Sequence, residues 1–214
     1  MQGQNALFVR HSYSTDASTR FDNVTSYALD EARKLYGAAV SREDIFYATY
    51  ALLHHPQYRA KYAENLKREL PRLPLFLAPL DFGEYSRIGR ALGDLHVGYE
   101  NAAIFPLQTR ETKIAGQTFS FRVQKMKFNA ERTELRVNDF LTLSGFTSQM
   151  FEYKLGNRSA LDWIVESYRV KEDARSGLVS DPNRKDEPRF ILDLVGKIAT
   201  VSLETQRLIA ELPR

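Results

Sequence analysis

The chain has no cysteine among its 214 residues, which excludes disulfides and every thiolate-based zinc site. No apolar run approaches the roughly 18 residues a membrane helix needs. The opening "MQGQNALFVRHSY" lacks the apolar core of a signal peptide. These absences read as a cytoplasmic protein. Charge of one sign is missing too: 30 Lys and Arg face 27 Asp and Glu, for a net +3 and a pI near 9.0. That balance permits nucleic-acid binding without demanding it.

Catalytic signatures are equally scarce. There is no Gly-x-x-x-x-Gly-Lys-Ser/Thr loop to cradle a triphosphate and no Gly-x-Gly-x-x-Gly after a strand. "GRALGDLHVG" falls inside a helical pattern with the wrong spacing, and "LSGF" lacks the glycines of a nucleophile elbow. His54 and His55 are adjacent and point to different helix faces, while His11 and His96 stand alone, so none suggests a metal ligand. Glu43 and Asp44 suit first-turn charges opposing a helix dipole. No constellation supports chemistry by this chain.

What is present is a mixture of helical and strand periodicities. Helices are predicted over 23–36, ended by Gly37, over 41–55, and over 56–70, ended by Pro71. Ser41 and Asp44 have capping-box spacing. Three prolines make "PRLPLFLAPL" at 71–80 a rigid connector. Helix resumes over 81–101. After Pro106 the alternation in "QTFSFRVQKMKF" and "TELRVNDFLTL" predicts two half-buried strands around an "ERTE" turn. A short helix is expected near 146–153. A further helix opens at Ser159, with Asp162 repeating the capping spacing and Trp163 expected as a core anchor among Leu161, Ile164 and Val165. The last helix starts after Pro188, with Phe190, Ile191, Leu194, Val195, Ile198, Val201, Leu208 and Ile209 as its apolar stripe. The fold class is α+β: a mostly helical domain with a small antiparallel sheet between helical segments. It reads as a single domain over 1–214, with a helical half at about 22–105 and a half with sheet and C-terminal helices at about 106–212. The abrupt start suggests a fragment of a larger polypeptide.

Charge is locally uneven. Seven Lys or Arg face three Glu over 110–136, and five face two over 58–72. Two arginines, Arg175 and Arg184, flank a Ser-Gly turn and an Asp-Pro-Asn turn in "SALDWIVESYRVKEDARSGLVSDPNR". The plain alternative for such residues is a solvated face of ordinary ion pairs.

Three blocks, "EDIFYATYALLHHPQYRAKYAENLKRELPRLP", "GRALGDLHVGYE" and "SALDWIVESYRVKEDARSGLVSDPNR", resemble the C-terminal part of the type ISP restriction–modification enzymes and related adenine-specific DNA methyltransferases. "RFDNVTSYALDEARKLYG" and "FILDLVGKIATVSLET" fit the same order, so the resemblance spans about 22–205. It implies a target recognition (specificity) domain that binds double-stranded DNA and directs N6-adenine methylation and cleavage performed by other domains. S-adenosylmethionine, ATP and Mg would belong to those domains, and none is expected here. The Asn-Pro-Pro-Tyr motif that holds a flipped adenine is absent, and "SDPNR" is no substitute for it. Expected partners are duplex DNA and the methyltransferase domain of the same polypeptide. The alternatives are a helical scaffold that clamps the methyltransferase domain without reading bases, and an enzyme with an unrecognised site.

Ten cations follow as candidate DNA contacts. Lys113, Arg122, Lys125, Lys127, Arg132 and Arg136 lie on or beside the predicted two-stranded ribbon, where base reading is expected. Arg158, Arg175, Arg184 and Lys185 sit at turns and helix ends suited to holding phosphates. The other role for this second group is pairing with Asp173, Asp181 or Asp186 to lock the loop.

Overall fold

The computed structural model of the chain describes residues 11–13, 20–73 and 81–213. They form six α-helices and small antiparallel sheets, an α+β fold with sheet between helical segments. Most of the connector expected over 71–80 lies outside the described residues, at 74–80. Two compact units share the chain, Met1–Asp94 with Leu208–Arg214, and Leu95–Arg207.

In the first unit, β1 (His11–Tyr13) pairs antiparallel with β2 (Arg20–Asp22), and His11 Nε2 lies 3.1 Å from the Asp22 carboxylate. Helix α1 (Ser26–Tyr36) is capped by Thr25, whose hydroxyl accepts the Ala28 N–H. Helix α2 (Arg42–His54) carries the expected capping box: Ser41 Oγ accepts the Asp44 N–H and the Asp44 carboxylate accepts the Ser41 N–H. Asp44 also accepts the Ser86 hydroxyl at 3.1 Å and faces Arg90 at 3.5 Å. Burial pushes its carboxyl up, but the Ser41, Ser86 and Arg90 interactions outweigh that and hold it below the usual range. His55 joins α2 to α3 (Pro56–Lys61). Its Nδ1 accepts the Gln57 N–H, so Nε2 carries the proton and donates to the Pro213 carbonyl at 3.0 Å.

The helix predicted over 56–70 is shorter than expected. It ends at Lys61 and gives way to a single 3-10 turn at Asn65–Lys67. The Tyr58 hydroxyl donates to the Arg72 carbonyl at 2.9 Å across 14 residues. A straight helix would hold those backbones about 21 Å apart, so the chain must fold back.

Helix α4 (Phe82–Val97) packs against α2 so closely at Gly89 that a Cβ there would sit 1.8 Å from the Tyr47 carbonyl oxygen. The core of this unit includes Leu29, Ile45, Leu52, Tyr85, Ile88 and Leu92.

The second unit holds a four-stranded sheet, not a two-stranded ribbon. Its strands are β3 (Gln108–Glu111), β4 (Lys127–Phe128), β5 (Glu134–Arg136) and β6 (Leu141–Ser144), in the order β3-β6-β5-β4. All of β3 is exposed, so no apolar alternation announces it. Directly paired residues share a face. Leu135 and Leu143 form one row and are buried, whereas Arg110, Thr142, Arg136 and Lys127 form the next row on the opposite face.

The expected short helix is a 3-10 turn at Ser148–Phe151, followed by the hairpin strands β7 (Lys154–Leu155) and β8 (Arg158–Ser159). Helix α5 (Ala160–Ser167) starts at Ser159, which accepts the Asp162 N–H. Trp163 is not a core anchor: it is 42% exposed and donates Nε1–H to the Leu155 carbonyl at 3.0 Å. Leu161 and Ile164 take the inward face, and position 163 lies about 200° around the helix from 161. Strands β9 (Lys171–Glu172) and β10 (Val179–Ser180) make a second hairpin. Helix α6 (Phe190–Ala210) buries Ile191, Leu194, Val195, Ile198 and Val201 in the core with Leu135, Leu143, Met150 and Leu161. His96 is tied to this helix, its Nε2 donating to Thr205 Oγ1, which in turn donates to the Val201 carbonyl.

Candidate nucleic-acid interface

All ten candidate cations fall in the second unit, at three kinds of place. Lys127 and Arg136 lie on the outer face of the sheet with Arg110, which the sequence reading counted in its basic segment but did not single out. Much of that face neutralises itself. Arg110 pairs with Glu134 at 3.1 Å and Arg136 pairs with Asp139, which leaves Lys127 as the cation of that row with no acidic partner among the described residues. Arg132 is committed internally. It bonds Asp162 at 2.5 Å and its guanidinium stacks 4.0 Å from the Phe151 ring centre. Arg158 is exposed on β8 and lies 5.7 Å over Trp163, and Lys113 follows β3 in exposed coil.

The strand predicted over 117–128 forms only at its last two residues. Val123 and Met126 are buried, but three positions apart, so the burial does not keep the two-residue period of a strand. The segment's backbone partners are mostly asparagine side chains and not a ladder. Asn138 Nδ2 donates to the Ser120 and Arg122 carbonyls, at 2.8 and 2.9 Å. Asn183 pairs both ways with Val123, accepting its N–H and donating to its carbonyl, each at 2.8 Å. Side-chain amides thus satisfy groups that a neighbouring strand would otherwise take. Neither asparagine was singled out for this role. Both stand in turn sequences, "VNDF" and "SDPNR", where such residues signal local capping and not a bond 60 residues away.

This clamp brings the two basic segments together. Phe121, Arg122, Asp181, Asn183, Arg184 and Lys185 line one cavity of about 230 Å³. Three cations line it, and once two of them are paired with carboxylates Lys185 is the lining cation with no acidic partner among the described residues. Arg122 pairs with Asp181 at 2.7 Å, and Arg184 bonds Glu187 at 2.9 Å while stacking 3.4 Å from the Phe190 ring centre. Loop-locking ion pairs therefore exist, but Asp181 takes Arg122 and Arg184 takes Glu187. Asp173 binds the backbone N–H groups of Arg175 and Ser176, leaving the Arg175 guanidinium exposed. Lys185 and Lys125 are exposed with no acidic partner among the described residues.

Asp181 is held down to about 2 by hydrogen bonds from the Asn183 side chain and backbone, with Arg122 adding to them. A folded value below the ordinary 3.8 means that this carboxylate stabilises the fold above about pH 4 and that the contribution is lost as pH falls toward 2. The urea midpoint should therefore fall between pH 5 and pH 3 by less in Asp181→Asn than in the unaltered protein. Equal falls would show that the loop is not held through this group.

Among the described residues no cluster of three or more His, Asp or Glu could hold a metal, and no helix is long and apolar enough to cross a membrane. What the cleft offers is guanidinium and ammonium donors for an oxyanion such as a phosphodiester.

Known proteins place this arrangement in context. The family model for the Type ISP C-terminal specificity domain matches residues 1–194. No curated protein matches. Among solved structures, the chain is similar to a nuclease-deletion mutant of the Type ISP restriction-modification enzyme LlaGI in complex with a DNA substrate mimic. The identity is 34% and the TM-score 0.74, over 96% of this chain and 18% of that one. The ATP-dependent Type ISP restriction-modification enzyme LlaBIII bound to DNA gives 32% identity and a TM-score of 0.76, over 92% and 12%. A DrdV–DNA complex gives 32% and 0.80, over 95% and 21%. The chain thus spans about a fifth or less of each of these proteins. With the family model covering most of its length and identities above 30%, the chain belongs to the Type ISP C-terminal specificity domains.

Proposed function

We propose that this chain binds double-stranded DNA and supplies the sequence preference of a larger restriction–modification polypeptide, whose other domains methylate adenine at N6 and cleave. The observation that carries this reading is the cleft. Segments 120–122 and 181–185, sixty residues apart, are clamped so that Arg122, Arg184 and Lys185 share one cavity, in a chain 34% identical to a DNA-bound Type ISP enzyme. Spacing cations around a concave surface suits phosphates, which dominate affinity for DNA. In this reading the chain does no chemistry and takes no cofactor of its own. S-adenosylmethionine, ATP and Mg serve the other domains, and the partners are duplex DNA and the methyltransferase domain of the same polypeptide.

A second role is docking that methyltransferase domain. Gel shifts with duplex and single-stranded oligonucleotides at two salt concentrations separate the roles. Duplex retention that weakens at the higher salt is expected. No retention of either form would leave docking as the role. Calorimetry with S-adenosylmethionine should show no heat of binding, and a measurable heat would contradict the non-catalytic reading.

A further inference from the structure

The hairpin Lys171–Ser180 stands on the rim of the cleft. At one foot the Val170 N–H donates to the Gln124 carbonyl at 3.0 Å. At the other, β10 runs directly into Asp181 and Asn183, which hold Arg122 and Val123. Its tip is fixed by a single carboxylate: Asp173 accepts the N–H groups of Arg175 and Ser176 and the Ser176 hydroxyl, and Gly177 turns the chain at φ 67°. The element is therefore shaped and anchored, yet every residue from 171 to 180 is exposed.

Its side chains are unusual for an uncovered element. Leu178 is 72% exposed and Val179 60% exposed. Val179 pairs with Glu172, while the Asp173 N–H donates to the Leu178 carbonyl, so the two apolar side chains project from opposite faces of the ribbon. Neither face is packed on protein. A lone two-stranded hairpin is marginal in water, and one with apolar groups on both faces fits a slot that closes on it from two sides. Lys171 and Glu172 offset each other at the base of the hairpin and Asp173 is engaged in the turn, so the exposed guanidinium of Arg175 is the charge presented at the tip.

We infer that this hairpin is the base-reading element and enters the major groove of duplex DNA, with Arg175 reaching a guanine edge and Leu178 and Val179 packing against thymine methyl groups. The inference rests on the DNA-binding reading above. A major groove about 12 Å wide admits a two-stranded ribbon, and its edges offer paired acceptors on guanine and a methyl on thymine. Both feet of the hairpin touch the 122–124 segment, so phosphates seated in the cleft would set the register of the tip. Base reading thus moves away from Arg122, whose guanidinium is held by Asp181, and onto Arg175.

The test is selection of binding sites from randomised duplexes by the full chain, its Arg175→Ala and Leu178→Ser variants, and Arg122→Lys, with melting checked for each. The expected result is a defined motif for the unaltered chain. Arg175→Ala should lose about 5- to 150-fold of its preference for guanine at one position, Leu178→Ser should relax a thymine position, and Arg122→Lys, altered in the cleft itself, should bind all sequences more weakly while selecting the same motif. Three results would overturn the inference while leaving DNA binding intact: an unaltered motif in both hairpin variants, as a protein-docking hairpin would give; equal weakening of those two variants on all sequences; or a motif that changes only in Arg122→Lys. Failure of the unaltered chain to retain any duplex would overturn both readings together.

Discussion

Alanine at Gly89 should destabilise the helical unit by about 3 kcal/mol or more, the upper part of the range for forcing extra atoms into a packed core. The added Cβ would meet the Tyr47 carbonyl oxygen at 1.8 Å and its carbon at 2.6 Å. Both are backbone atoms of α2 and cannot swing aside as a side chain could. Helices α2 and α4 would have to separate, opening the contacts of Ala48, Ala51, Ile88 and Leu92, all buried. For a chain of this size the melting temperature should fall by about 6–12 °C. Gly83 lies in the same helix with nothing within 4 Å of its Cβ position, so Gly83→Ala should be neutral or slightly stabilising. Urea denaturation of both variants decides the matter. Equal stability of the two would mean that α2 and α4 do not approach as closely as described.

The second large effect is expected at Asn183. Its side chain satisfies both backbone groups of Val123, whose residue is fully buried, and helps to hold the Asp181 carboxylate. Asn183→Ala strands an N–H and a carbonyl at about 1–3 kcal/mol each, so a loss of about 2–4 kcal/mol is expected, allowing for rescue by water. The same change frees the loop that carries Arg184 and Lys185 from the segment that carries Arg122. Duplex affinity should therefore fall by more than the unfolded fraction explains, measured well below the melting temperature. Undiminished affinity in a destabilised Asn183→Ala protein would show that the clamp holds the fold but not the binding surface.

These two residues also show where the sequence is legible. Interactions that close within three or four positions could be read directly. The capping box of Ser41 with Asp44 is present, Ser159 caps its helix by accepting the Asp162 N–H, and the stripe of α6 is buried nearly as patterned. Contacts closing over tens of residues left no local trace. The apolar and polar alternation over 117–128 reads as a strand, but the buried Val123 and Met126 are out of phase with it and the hydrogen bonds come from Asn138 and Asn183. Strand β3 went unseen because exposed "QTRE" has no apolar member. For the candidate interface, the two basic segments and the turns around Arg175 and Arg184 were readable. Which cations are spoken for was not, because it depends on partners such as Asp162 for Arg132 and Asp181 for Arg122.

The most direct check on the cleft as a phosphate site is the salt dependence of duplex affinity, followed by fluorescence anisotropy for the unaltered chain and for an Arg184→Gln, Lys185→Gln double variant. Roughly 4–6 phosphate contacts give a log–log slope of about −4 to −5. Lys185 is exposed, and because Arg184→Gln gives up the Glu187 pair and the Phe190 contact, the melting temperature of the double variant is compared with that of the unaltered chain. The variant's slope should be shallower by about 2, one for each lost contact. A slope near zero for the unaltered chain, or an unchanged slope in the double variant, would contradict the assignment of this cleft to DNA phosphates.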